Sequence, residues 1–303
     1  MKKILLLVSF LSLGIKSFAC AICGCGSGNL YMGLLPDFKS HFIGVRYHYS
    51  YLHTTLASDP SQFSHNYYNS IELWGGVNIG QKFQVLAFVP YYINRQVDDD
   101  GITTPHGLGD ITVIGQYNVF HSINFTAGKN MIEQNLWLGI GVKAPTGSFK
   151  TNVDDPDATV ADINAQLGTG STDFLLNGLY NIRINDFGVN ASASYQINTT
   201  NGQDYHYGNK LNTNLIAFYR IGIHKVMLSP NAGLGYEKVE GNLLHNAKVE
   251  FTGSNVTNAI AGVELNLKKI GVGLNAQLPI RQNFAEGQTK LKFKSMLHIT
   301  FGF

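Results

Sequence analysis

Apolar and polar side chains alternate along the last stretch of the chain, from Lys290 to Phe303. Because successive side chains of a β-strand point to opposite faces, a strand here has one apolar, aromatic face and one polar, largely cationic face. A helix would mix the two sets. Membrane β-barrels are built from such strands, with an apolar row against lipid and a polar row in the lumen. The pattern therefore predicts a membrane-spanning strand with Lys290, Lys292, Lys294 and His298 facing the lumen.

The same alternation recurs through the chain and predicts an all-β fold, a transmembrane antiparallel up-and-down β-barrel of about twelve strands. The predicted strands cover residues 41–53, 71–79, 83–93, 110–119, 136–144, 173–183, 187–198, 211–221, 226–236, 257–267, 270–281 and 290–303.

The connections between these strands alternate in length. Tight turns at 78–82, 185–186, 222–225 and 268–269 alternate with long polar connections at 53–66, 96–106, 145–170, 199–209 and 238–255. Two connections break the rule, a longer one at 120–135 among the turns and a shorter one at 281–288 among the loops. Short periplasmic turns and long extracellular loops are typical of outer-membrane barrels, whereas a β-sandwich would show no such asymmetry.

The N-terminus has the pattern of a secretory signal. Lys2 and Lys3 precede a short apolar run, Ile4 to Ile15, and the small residues Ser17 and Ala19 follow it. The run is too short to span a membrane as a helix. We therefore expect a cleaved signal peptide at residues 1–19, a Cys- and Gly-rich periplasmic leader or plug at 20–40, and the barrel at 41–303.

Composition supports export to a membrane. Charged residues are 14% of the chain, below the roughly 25% of soluble proteins. The formal net charge of +2 gives no sign of a nucleic-acid partner. Only helices and closed barrels satisfy their backbone in lipid, and no later apolar run is long enough for a helix. The expected location is the outer membrane of a Gram-negative-type cell, in contact with outer-membrane lipid.

Three motifs together resemble a known family. They are Pro105-His-Gly-Leu-Gly-Asp-Ile111, Leu138-Gly-Ile-Gly-Val-Lys-Ala-Pro-Thr-Gly147 and Leu167-Gly-Thr-Gly-Ser-Thr-Asp-Phe174. Their order and spacing resemble the outer-membrane transporter family named for the meta-pathway of phenol degradation, and the likeness covers residues 71–303. It implies a barrel that passes hydrophobic or aromatic molecules. The terminal Phe303 also resembles the signature that the barrel-assembly machinery recognises, which makes that machinery an expected partner.

The side chains predicted to face the lumen are the candidate solute pathway. They are Arg46, His48, Glu72, Trp74, Asp110, Trp137, Lys143, Asp173, Arg183, Arg220, Glu264, Arg281 and His298. With the C-terminal lysines this set is net basic, which favours anionic or neutral small-molecule solutes. The inward tryptophans leave two interpretations open: side chains that fill a narrow lumen, or an amphipathic conduit for aromatic solutes.

All three cysteines lie together near the expected mature start. Three interpretations compete for Cys20, Cys23 and Cys25. Cys20 could carry a lipid, or Cys20 and Cys23 could form a disulfide that leaves Cys25 free. Alternatively, all three sulfurs could bind a soft metal. Thiolates suit Cu(I) and Zn(II), and His41 is a candidate fourth ligand. The three interpretations remain open.

No spacing of Ser, His and carboxylates singles out an enzyme nucleophile, so we expect no catalytic activity. The predicted function is an outer-membrane channel or transporter for small, hydrophobic or aromatic molecules. The alternatives are a copper-associated outer-membrane protein that uses the cysteine cluster, and a structural barrel that transports nothing.

Overall fold

A closed β-barrel accounts for most of the chain. The computed structural model describes residues 41–55, 63–98, 101–126, 130–150, 153 and 166–303. Twelve long antiparallel strands within these residues are numbered here in chain order. They are β1 (Phe42–Thr55), β2 (Phe63–Ile79), β3 (Phe83–Ile93), β4 (Ile111–Phe125), β5 (Met131–Ala144), β6 (Asp173–Ile184), β7 (Phe187–Ile197), β8 (Lys210–Tyr219), β9 (Val226–Val239), β10 (Ser254–Leu267), β11 (Ile270–Phe284) and β12 (Thr289–Gly302).

Strand pairing closes the barrel between its first and last strands. Each strand pairs with its neighbour in sequence, and β12 pairs with β1 from Phe42–Gly302 to Thr54–Thr289. Closure leaves none of these twelve strands at a free edge of the sheet, and the β11–β12 ladder is interrupted only between the pairs Gln277–Lys294 and Phe284–Thr289. The predicted fold class, an antiparallel up-and-down barrel of twelve strands, is confirmed. The predicted signal peptide and leader, residues 1–40, lie outside the described residues.

The outward rows of side chains are apolar and exposed. Ile140 and Phe125 are 71% and 73% exposed, and exposed Ile, Val, Leu, Phe and Tyr side chains recur at alternate positions on every strand. A soluble protein rarely exposes a contiguous apolar surface of this extent, whereas lipid covers one favourably. Among the described residues there is no helix of the length and apolar character needed to cross a membrane.

Tight turns and long loops sit at opposite ends of the barrel. The turn end carries residues 80–82, 185–186, 224–225 and 268–269, and also residues 126 and 130, which follow β4 and precede β5. The predicted long connection at 120–135 is wrong, because β4 runs on to Phe125 and β5 begins at Met131. A bulge between Asn118 and Phe120 inserts one residue and reverses the alternation, so the pattern that marks the strand is lost there.

The loop end carries further short strands. Arg95–Asp98 and Gly101–Thr103 form a hairpin beside β2, and His106–Leu108 pairs with β3. Tyr205–His206, Leu243–Leu244 and Ala247–Lys248 form a separate three-stranded sheet above the barrel. The long connections are thus partly folded structures of their own.

A bulge in β11 corrects the predicted direction of Arg281. Thr257 pairs with Arg281 while Asn258 pairs with Pro279, which leaves Ile280 as an extra residue. Directly paired residues share a face of the sheet. Since Asn258 is fully buried in the lumen and Thr257 alternates with it, Arg281 lies on the outward face. The prediction that Arg281 faces the lumen is therefore wrong.

A second bulge, in β12, corrects the directions of two lysines. Tyr51 pairs with Phe293 and Leu52 pairs with Leu291, so Lys292 is the extra residue. Leu291 is fully buried, whereas Lys290 and Lys292 are exposed on the outward face. From Lys294 onward the side chains of β12 alternate between the lumen and the outward face as predicted. Lys294, Met296, His298 and Thr300 point inward and are buried.

Candidate functional site

The lumen gathers most of the residues that the sequence singled out. Eight of them are buried in it, namely Arg46, Trp74, Asp110, Trp137, Lys143, Asp173, Glu264 and His298. Three more, His48, Glu72 and Arg183, are partly buried at inward positions. Arg220 lies at the turn end, where its backbone N–H donates to the Asp186 carbonyl oxygen at 2.8 Å. The structure therefore divides the predicted set among a mouth cluster, a central region and the turn end.

The three family-like motifs meet at the mouth in one buried ion cluster. The Lys143 ammonium lies 3.1 Å from Asp110 Oδ2 and 2.5 Å from Asp173 Oδ2. It also donates to Thr169 Oγ1 at 2.7 Å. Each motif supplies one charged side chain to the cluster, and this contact was not predicted from the sequence. Asp110 and Asp173 are thus bonded to nearby backbone and basic groups.

Backbone contacts tie the long loop after β5 to this cluster. Asp110 accepts from the backbone N–H of Gly147 and of Thr169, both at 2.9 Å. A side chain on Gly168 would lie only 2.6 Å from the Gly147 backbone and 2.7 Å from Asp110 Oδ1. The glycines of the second and third motifs are therefore required for the two ends of the loop to close over Asp110.

An apolar and aromatic wall lines the lumen along β2 to β6. Its buried core comprises Trp74, Leu86, Phe88, Ile114, Trp137, Leu175 and Leu179. The Arg46 guanidinium lies 4.2 Å from the centre of the Trp74 ring and 5.1 Å from that of Phe88, and it is ion-paired with Glu72. An arginine whose charge is paired and whose faces are stacked is held rigidly. This wall is the part of the lumen suited to aromatic surfaces.

Ion pairs bridge strands that are not neighbours. His298 Nε2 on β12 lies 3.1 Å from Glu264 Oε2 on β10, directly over Gly273 of β11. A Cβ at Gly273 would approach Glu264 and His298 to 2.1 and 2.2 Å, so only glycine leaves room for this bridge. Lys294 Nζ on β12 reaches Glu237 Oε2 on β9 at 2.6 Å. Such bridges narrow the lumen.

The opposite wall, along β7 to β11, carries mostly neutral polar side chains, beside the ion-paired Glu237 and Glu264 and the apolar Ile216 and Ile260. Its inward side chains include Asn190, Ser194, Asn214, Ser229, Asn231, Asn258, Asn275 and Gln277. Within the described residues, both amide atoms of Asn275 and the carbonyl oxygens of Asn231 and Asn258 are buried without a protein hydrogen-bond partner. Buried polar groups of this kind bind water or a polar ligand. This wall is therefore suited to the polar part of a solute.

A charged network at the turn end was not predicted. Arg183 contacts Glu133 through an ion pair, and His121 Nε2 lies 3.8 Å from Glu133 Oε1. Of these, only Arg183 belongs to the predicted set. Glu133 and His121 fall in the part of β4 and β5 that was taken for a loop, and the bulge after Asn118 hid their inward direction.

Parts of three loops pack together beside the mouth. Val153, Tyr205 and Tyr207 form a buried cluster with Phe149, Leu244 and Val249 against it. Burial raises the pKa of Tyr207 well above its ordinary value, with Tyr205 and Asp110 adding to the effect. The Tyr207 hydroxyl therefore stays protonated well above physiological pH.

The predicted metal site cannot be followed into the structure. Cys20, Cys23 and Cys25 lie outside the described residues. His41 is described, and its Nδ1 accepts a hydrogen bond from the Asn78 backbone N–H at 3.1 Å while its ring stacks on Phe303. Within the described ranges no group of three or more His, Cys, Asp or Glu side chains could hold a metal. Binding of Cu(I) or Zn by the cysteines stays a prediction.

The structure resembles solved outer-membrane proteins in its fold. An outer membrane channel from Pseudomonas putida F1 superposes with a TM-score of 0.62 at 15% identity, over 91% of this chain and 100% of that one. The beta domain of the Bordetella autotransporter BrkA gives a TM-score of 0.51 at 12% identity, over 88% and 100%. No family model and no curated relative matches the sequence. The fold is thus that of outer-membrane β-barrels.

Proposed function

We propose that the protein is an outer-membrane channel or transporter for small molecules that carry both an apolar or aromatic part and a polar part. The carrying observation is that one lumen holds an aromatic wall along β2 to β6 together with buried amide groups that have no protein partner, among them those of Asn231, Asn258 and Asn275. Such groups favour a lumen that admits water and polar solutes, because a buried amide group left without any hydrogen bond costs roughly 1–3 kcal/mol.

The likeness in fold to an outer membrane channel supports this proposal. So does the resemblance of the three motifs to the phenol meta-pathway transporter family, because those motifs converge on the mouth of the lumen. Aromatic or hydrophobic molecules are accordingly the proposed solute class. The ion cluster and the loop ends tied to it would form one side of the entrance.

The aromatic wall gives the first testable prediction. Replacing Trp74 and Trp137 together with alanine is expected to lower the uptake of a monocyclic aromatic alcohol relative to an aliphatic alcohol of similar size. An aromatic contact contributes about 0.5–1.5 kcal/mol, so the loss of one such contact with the solute should lower the ratio of the two rates by about twofold to twelvefold. Swelling of liposomes that contain the purified barrel measures both rates.

Leu138→Ala is the matched control, because Leu138 follows Trp137 on β5 but points outward. Its solute ratio should equal that of the wild type. An unchanged ratio in the double tryptophan variant would contradict the proposed aromatic pathway. Absence of flux for every solute, together with no conductance of the wild-type protein in planar bilayers, would favour a structural barrel.

Orientation gives a second prediction. With the three native cysteines replaced by serine, Lys150→Cys should react with a membrane-impermeant maleimide on intact cells, whereas Asp186→Cys should react only after lysis. Both positions are exposed, but Lys150 follows β5 at the loop end and Asp186 lies in the turn between β6 and β7. Labelling of Asp186→Cys on intact cells would invert the proposed topology.

A further inference from the structure

The two bulges near the loop end bring three cations to the lipid-facing side of the barrel. Arg281 shares the outward face with its partner Thr257, and Lys290 and Lys292 flank the buried Leu291. Both bulges lie in the loop-side halves of β11 and β12. If β11 and β12 had no bulge and kept the inward–outward alternation of their turn-side halves, all three cations would face the lumen. The bulges therefore determine where these charges lie.

A side-chain bridge holds this region of β11 and β12 together. Gln282 Nε2 donates to the Leu291 carbonyl oxygen at 3.0 Å, and the Leu291 N–H donates to Gln282 Oε1 at 2.7 Å. Arg281 precedes Gln282, and the two lysines flank Leu291, so the three cations surround one fixed point. Their backbones are thereby held in place, while their side chains extend outward.

The three cations have no acidic partner in the described part of the chain. The strand carboxylates nearest in sequence, Glu237 and Glu264, point inward and are paired with Lys294 and His298. Glu286, in the connecting turn, lies 3.5 Å from Lys248. An outward cluster of like charges without counter-charges is unfavourable at a lipid boundary unless the lipid supplies anions.

Aromatic side chains extend this cationic patch across β1 and β2. His53 pairs directly with Lys290, and the Tyr51 ring stacks on Tyr67 at 4.9 Å between centres. The Arg95 guanidinium lies 5.9 Å from the Tyr67 ring centre. Tyrosines prefer the headgroup level of a membrane, so Tyr51 and Tyr67 mark the depth at which the lipid headgroups begin.

The patch occupies only one sector of the barrel. On β4 to β8 the outward positions at the same end are Ile111, Val142, Phe174, Tyr195 and Leu211. A cationic belt that only improved solubility or general membrane affinity would have no reason to be confined in this way. The asymmetry indicates a site for a discrete anionic headgroup.

We propose that Arg281, Lys290 and Lys292 bind the phosphate groups of a phosphorylated glycolipid, lipopolysaccharide, in the outer leaflet. Guanidinium binds phosphate through paired hydrogen bonds, and ammonium groups bind it as point charges. The neighbouring tyrosines would pack against the sugar rings and the upper acyl chains. This inference rests on the outer-membrane location and the orientation given under the proposed function.

The test measures binding of purified lipopolysaccharide to the folded barrel in nanodiscs of zwitterionic phospholipid. Each cation near an anionic lipid surface contributes roughly a fivefold gain in affinity, so the triple variant Arg281→Gln/Lys290→Gln/Lys292→Gln should bind about 100-fold more weakly. The charge-matched control, Lys225→Gln/Lys268→Gln/Lys269→Gln, removes three exposed cations at the turn end and should bind within twofold of the wild type.

Two further arms define the ligand. Dephosphorylated lipopolysaccharide should bind the wild type at least tenfold more weakly than the intact glycolipid, and vesicles of phosphatidylglycerol should compete poorly. Heat-dependent gel mobility establishes that each variant is folded. If the triple variant does not fold, the Lys290→Gln/Lys292→Gln variant decides instead, with an expected loss of about 25-fold.

Equal binding by wild type and cation variants would overturn the proposal, and so would equal binding of the dephosphorylated glycolipid. Equal competition by phosphatidylglycerol would indicate a general anionic-lipid surface and would likewise overturn it. Bilayer conductance of the triple variant should match the wild type, because no lumen side chain is changed. Loss of lipid binding with intact conductance therefore separates this proposal from the channel function.

Discussion

Replacing Lys143 with methionine should release the loop after β5 and destabilise the barrel. The ammonium lies between Asp110 and Asp173, and the exposed fractions of its side chain and of those carboxylates are 10%, 6% and 0%. Removing one partner of a buried ion pair costs about 3–5 kcal/mol, and here two buried carboxylates would be left facing each other. The midpoint of urea unfolding in detergent, followed by gel mobility, measures the loss.

A second measurement separates the release of the loop from general unfolding. Limited proteolysis of the folded Lys143→Met protein should cut between residues 145 and 172 far faster than in the wild type, because repulsion between Asp110 and Asp173 would draw the Asp110 carboxylate away from the Gly147 and Thr169 N–H groups. Lys150→Met, an exposed lysine in the same loop, should change neither quantity. A Lys143→Met protein with wild-type midpoint and cleavage rate would contradict the assignment of Lys143 as the anchor. Partial recovery by adding Asp173→Asn would support it.

Deleting Phe301 to Phe303 should abolish most barrel formation. Phe301 pairs with Ile43 on β1 and with Ile270 on β11, and the N–H of Phe303 donates to the His41 carbonyl oxygen at 2.9 Å. Each backbone group left unpaired in lipid costs several kcal/mol, so an open seam at this end is not tolerated. The heat-modifiable band in the membrane fraction reports the yield.

Phe303→Ala separates seam closure from recognition by the assembly machinery. It keeps the backbone hydrogen bond but removes the aromatic ring. If Phe303 is a recognition signal, this variant should assemble poorly in cells yet fold from urea into detergent micelles as well as the wild type. Full assembly of the deletion variant in cells would contradict both roles.

The sequence predicted the strands well because lipid imposes a strict alternation on them. The outward rows of β3, β6 and β7, and that of β2 from Ile71 onward, lie where the pattern put them, since nothing interrupts their period of two. Prediction failed where a bulge adds one residue. The run Lys290-Leu291-Lys292-Phe293-Lys294 alternates equally well in either phase, and only its pairing with β1 shows that the phase changes at Lys292.

The sequence predicted which residues belong to the candidate site, but it did not predict which of their side chains are in contact. Alternation placed Asp110, Lys143 and Asp173 on the lumen face, but their contact depends on how two loop ends fold over the mouth. Likewise Glu264 and His298 were both predicted inward, while their pairing depends on the glycine at 273 between them. Sequence spacing carries no information on such contacts between non-adjacent strands.

The seam between β1 and β12 has a consequence for the connectivity of the chain. His41 and Phe303 are in direct backbone contact, so a short linker could join these two positions without crossing the barrel. The joined seam would then be one more tight hairpin at the turn end. A circular permutant opened between Asn185 and Asp186 would keep every strand pair and every lumen contact, while β6 would become the last strand and Asn185 the C-terminus.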